Sequence, residues 1–140
     1  MKRTHNLLML MGFACVLANP SVAQEATPIR FASGASSAQV AGSVVRGERM
    51  LHTLDARAGQ TLTARIAGAE NNAVFQLYAP GARAEWRDGV LEIAGTALPG
   101  AAEGEDARAW QGRLAIGGQY LFVVGGTRGN ASYRLHVTLR

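Results

Sequence analysis

Hydrophobic and polar residues alternate along most of the chain with a period of two, which places successive side chains on opposite faces of a strand. Leu62, Ala64 and Ile66 alternate with Thr61, Thr63 and Arg65. Met50, His52, Leu54 and Ala56 share one parity, and Val40, Gly42 and Val44 alternate with Gln39, Ala41 and Ser43. Val74 to Tyr78 reads as a strand with Phe75 and Leu77 inward, Ile29 to Phe31 as a short one, and Ala107 to Leu114 as one with Trp110, Gly112 and Leu114 on a single side. Turn residues punctuate these runs at Arg46-Gly47, at Arg57 to Gln60 and at Gly68 to Asn72. Between Pro80 and Gly104 the pattern weakens: Val90 to Ile93 reads as a strand and Leu98 to Ala102 as loop. No segment carries a helical stripe bounded by caps.

The strongest alternation is C-terminal. Tyr120, Phe122 and Val124 share one parity, and Tyr133, Leu135, Val137 and Leu139 another. Between them, Gly125 to Ser132 (GGTRGNAS) is rich in Gly and Asn, so the pair is predicted to be a β-hairpin with Arg128 at its tip. The fold class predicted is all-β, an antiparallel β-sandwich of about seven to nine short strands.

The first 23 residues read as a secretory signal peptide. Lys2 and Arg3 give the positive start, Leu7 to Leu17 the apolar segment, and Ser21-Val22-Ala23 the cleavage site before Gln24. A lipidated Cys15 fits less well, with Phe13 just upstream. The apolar segment is too short for a permanent anchor, so no membrane span is expected, and residues 24–140 form one domain. Cleavage removes the one Cys, so packing must hold the domain together without a disulfide. It also takes Lys2 and Arg3 from the 14 basic residues, leaving 12 against 10 acids. All of those left are Arg and scattered along the sequence, which does not support a nucleic-acid partner.

Catalytic residues are not expected. Of three His, only His52 and His136 follow the leader, and they lack metal-ligand spacing. His52 has inward parity and reads as a packed residue, whereas His136 faces outward. Glu103 to Asp106 reads as a solvated turn rather than a Ca²⁺ loop. No Ser lies in a nucleophile elbow, and no cofactor or metal is expected. Asn130-Ala131-Ser132 has the form of a glycosylation acceptor, read as coincidence in a chain with a bacterial style of signal peptide. The alternative to a protein-binding role is a non-enzymatic carbohydrate- or envelope-binding module using Trp86 or Trp110.

Ser36-Ser37-Ala38-Gln39 with Gly42, Arg46-Gly47, Ala58-Gly59-Gln60, Gly118-x-Tyr120, and Thr127-Arg128 ahead of Tyr133-x-Leu135-x-Val137 together carry a resemblance. The chain resembles the bacterial periplasmic inhibitors of g-type and i-type lysozymes, which in turn look like pre-peptidase C-terminal β-sandwich domains. The resemblance implies a non-enzymatic periplasmic protein that pushes loops into the cleft of a g-type or i-type lysozyme. It implies lysozyme contacts from a Ser-Gly-x-Tyr loop and a neighbouring Arg loop. Here these fall on Gly118 and Tyr120, and on Arg128 with Thr127 and Asn130. Gly117 stands where the family has its Ser, and the Arg128 loop is shorter than in the family. A homodimer paired along an edge strand is left open.

Overall fold

The cleanly alternating runs are strands in the structure, a computed structural model that describes residues 25–140. The predicted signal peptide and Cys15 lie outside the described residues. In chain order the strands are β1 (Thr27–Pro28), β2 (Ser37–Val44), β3 (Met50–Ala56), β4 (Thr61–Gly68), β5 (Ala73–Tyr78), β6 (Arg83–Arg87), β7 (Val90–Ala94), β8 (Ala109–Arg113), β9 (Gly118–Gly126) and β10 (Ala131–Leu139). They form one four-stranded sheet ordered β1-β3-β9-β5, a second ordered β2-β10-β4-β8, and a separate β6-β7 hairpin. All pairs are antiparallel except β1 with β3. The all-β sandwich expected from the sequence is the fold.

Between the sheets, Leu54, Phe75, Leu77, Tyr120, Phe122 and Val124 of the first meet Val44, Leu62, Ala64, Leu135 and Val137 of the second in one buried cluster. Phe75 and Phe122 pack edge to face at 5.5 Å between centroids, and each such buried side chain contributes roughly 1.5–3 kcal/mol. One polar link crosses this core: His52 Nε2 and the Tyr133 hydroxyl lie 2.6 Å apart. Burial holds the His52 ring below its ordinary value, opposed in part by the Thr27 backbone, and pushes Tyr133 up to about 12.

Four details differ from the sequence expectation. First, β9 and β10 are not a hairpin. β9 pairs with β3 and β5, β10 with β2 and β4, so the link between them crosses from one sheet to the other. Second, β9 is buried on both faces. Leu121 and Val123 point away from the central core into a second cluster with Leu51 and Tyr78, covered by Ala84, Leu91 and Ile93 of the β6-β7 hairpin. Third, β6 lies in the stretch of weak pattern, because it covers a sheet and pairs only with β7. Fourth, the first strand is Thr27–Pro28 rather than Ile29 to Phe31; Ile29 is bonded to Thr53 O through its N–H and packs into the core.

Candidate binding site

β9 ends in one sheet at Gly126 and β10 begins in the other at Ala131. Thr127 to Asn130 therefore bridge packed sheets that lie about 10 Å apart. So short a bridge leaves backbone groups that neither sheet can pair, and they need partners. Asn72, buried in the turn between β4 and β5, supplies them. Its Nδ2 donates to the carbonyls of Arg128 at 2.9 Å and Asn130 at 2.8 Å. Its own carbonyl accepts the Thr127 N–H at 2.8 Å, with the Thr127 hydroxyl at 3.4 Å. From the other side, Asn130 Oδ1 accepts the Arg46 N–H at 2.8 Å, which ties in the turn between β2 and β3. Gly126 permits the tight closure, since a Cβ there would sit 2.8 Å from Gly129 O.

The clamped arch displays Arg128 in solvent. Its guanidinium touches only the Glu70 carbonyl, at 3.4 Å, and among the described residues no carboxylate pairs with it; Arg87, by contrast, binds Glu85 and Glu92. An Arg held this way keeps its planar fork free for an incoming carboxylate. Exposed Arg46, Glu48 and Arg108 surround the same end of the sandwich. A groove of about 390 Å³ opens beside it, walled by Gly47, Arg49, Phe75, Glu103, Asp106 and Gly126.

Thr127, Arg128 and Asn130 thus stand together on the arch, but Gly118 and Tyr120 do not join them. Gly118 begins β9 and Thr127 follows its end, so the two loops lie at opposite ends of the sandwich, about 30 Å apart along the strand. Tyr120 is 1% exposed, and its hydroxyl donates to Ile116 O at 2.6 Å. Its side chain fills the core and anchors the preceding loop. Gly118 has a structural reason of its own, with φ +145° and Pro80 at 2.9 Å from any added Cβ. At Gly117 a Cβ would lie 3.2 Å from Ala58 N, a tight fit for the Ser of the family pattern.

The other candidates have structural partners. Trp110 is half-buried at the core rim, its Nε1 donating to Pro99 O at 2.8 Å. Trp86 is half-buried on the same face of β6 as Ala84, which packs on the first sheet. Within the acidic turn, Glu105 accepts the Ala102 N–H at 2.7 Å. The residue missed by sequence reading is Asn72. Its place in the Gly68 to Asn72 turn marks it as a turn former and gives no sign that it clamps a loop more than fifty residues away.

The fold defines a class, the two-sheet antiparallel sandwich, and its polar end sets an unpaired Arg on a short, braced arch. Solved structures show the particular family. The chain is 33% identical to PliG of Aeromonas hydrophila, a periplasmic lysozyme inhibitor of g-type lysozyme, at a TM-score of 0.61 over 82% of this chain and 96% of that one. It belongs to the family of periplasmic inhibitors of g-type lysozyme, a family of inhibitors rather than enzymes. Two further members share the fold. PliG of Salmonella Typhimurium is 20% identical at a TM-score of 0.57, over 83% of this chain and 98% of that one. A mutant of Escherichia coli PliG is 20% identical at 0.56, over 81% and 96%. No protein-family model and no curated protein sequence matches the chain. Among the described residues no helix is long and apolar enough to cross a membrane.

Proposed function

We propose that this protein inhibits a g-type lysozyme in the periplasm by setting the Thr127–Asn130 arch, led by Arg128, into the enzyme's cleft. Lysozyme clefts carry a pair of catalytic carboxyl groups. A guanidinium can answer one of them with two charge-assisted hydrogen bonds. The observation that carries the reading is the unpaired Arg128 on an arch braced by Asn72, in a chain 33% identical to an inhibitor of g-type lysozyme. Bracing matters because a loop already in its bound shape loses less entropy on docking. Thr127 and Asn130 hold the arch and lie at its contact surface, whereas Tyr120 and Gly118 shape the far end.

Residues 1–23 direct export and are then removed, leaving Gln24 as the first residue of one domain. The test is titration of the protein recovered from the periplasm against g-, i- and c-type lysozymes on peptidoglycan. Inhibition of the g-type enzyme below micromolar concentration is expected; no inhibition of any of the three at micromolar protein contradicts the proposal.

A further inference from the structure

Three of the arginines that look scattered in the sequence are gathered by the second sheet. None of its four strands contains Asp or Glu, although the chain has 10 acids. On its outward face stand Arg65 of β4, Arg134 and His136 of β10, and Arg113 of β8, all exposed. His136 is the register partner of Arg65, and Arg134 lies two residues along, opposite Ala67. Arg113 faces Thr61 toward the other end. Among the described residues none of these three arginines is ion-paired.

Stability alone would favour opposite charges across neighbouring strands. This face instead keeps one sign and surrounds it with small hydroxyls, paired across strands as Ser37 with Thr138 at 2.9 Å and Ser43 with Ser132 at 3.1 Å.

We infer that the outward face of the β2-β10-β4-β8 sheet docks flat on a membrane surface bearing anionic phospholipid headgroups. Charge complementarity carries the assignment: guanidinium groups bind phosphate oxygens through paired hydrogen bonds, and no carboxylate on these strands opposes them. The face has no aromatic ring on which a sugar would stack. Nor does it carry a large apolar side chain that would insert into lipid, so contact stays at headgroup level. The strands would lie parallel to the surface, leaving Arg128 and the arch at their ends free. Docking therefore does not rest on the inhibitor reading. Each Arg near an anionic bilayer adds about fivefold to partitioning, and salt screens the effect.

The experiment is cosedimentation of the protein recovered from the periplasm with phosphatidylglycerol-containing vesicles and with pure phosphatidylcholine vesicles, at low and several-fold higher salt, beside dextran sulfate as a soluble polyanion. Binding is expected to the anionic vesicles alone and to be released by salt. The Arg65→Gln/Arg134→Gln variant should partition about 25-fold less. Arg128→Ala should bind vesicles as the unaltered protein does, and the double variant should still inhibit lysozyme. Both altered arginines are exposed, so folding is undisturbed and circular dichroism checks it. No binding to anionic vesicles at low salt overturns the inference, as does equal binding by the double variant or binding to dextran sulfate without binding to vesicles.

Discussion

Replacing Asn72 with Ala deletes the clamp of the arch while leaving Arg128 in the sequence. Two hydrogen bonds disappear, those from Nδ2 to the carbonyls of Arg128 and Asn130. The bond from the Thr127 N–H to the Asn72 carbonyl is main chain and survives. Each lost bond carries about 0.5–1.5 kcal/mol net. The freed carbonyls sit on an exposed loop and regain water, so the expected loss of stability is about 1–2 kcal/mol, read by urea denaturation. Inhibition should suffer separately. Re-ordering one or two arch residues on binding costs about 1–2 kcal/mol each, so a weakening of g-type lysozyme inhibition of about 30-fold is expected, from roughly 2 kcal/mol. Asn72→Asp should be worse, since it aims a carboxylate at two carbonyl oxygens. The reasoning is refuted if Asn72→Ala stays within about 0.5 kcal/mol in stability and inhibits as the unaltered protein does.

The remaining predictions concern the core and the far end. Tyr120→Phe removes only the bond to Ile116 O; it should cost about 1 kcal/mol and leave inhibition unchanged, whereas a large loss of inhibition would restore Tyr120 as a contact residue. His52 has a folded value below its ordinary 6.5, so the unfolded chain takes up a proton first on acidification. Its contribution is complete above pH 6.5 and is lost as pH falls from there toward the lower folded value; denaturation curves that keep one midpoint across this range would contradict the burial of a neutral ring. Tyr133, raised from 10.0 to about 12, acts at the other extreme: stability should decline as pH rises from about 10 to 12, because the unfolded chain ionises first.

Strands with one wet face were legible. In β4, Thr61 to Gly68, each second residue is apolar because one side meets the core and the other meets water, and the same logic placed Phe75 and Leu77. β9 defeated it in a specific way. Tyr120 to Val124 is an unbroken apolar run, the mark of a strand covered on both faces, and attending only to alternate positions hid Leu121 and Val123 and with them the β6-β7 cover. Two adjacent strands joined by a Gly-rich link look alike whether they pair or part, since the local signal reports a reversal and not the sheet that receives the next strand. The site was half legible for the same reason. Arg128 between glycines is visible as a displayed charge, but that Asn72 braces it and that Tyr120 lies at the far end both follow from which sheet each strand joins.

The most direct measurement is the inhibition constant of Arg128→Ala against a g-type lysozyme, beside its unfolding curve. Loss of an anchor of about 2 kcal/mol should weaken inhibition about 30-fold and leave the unfolding midpoint in place, because among the described residues the guanidinium makes one long hydrogen bond, to the Glu70 carbonyl. An unchanged inhibition constant in a folded variant would contradict the placement of Arg128 in the cleft.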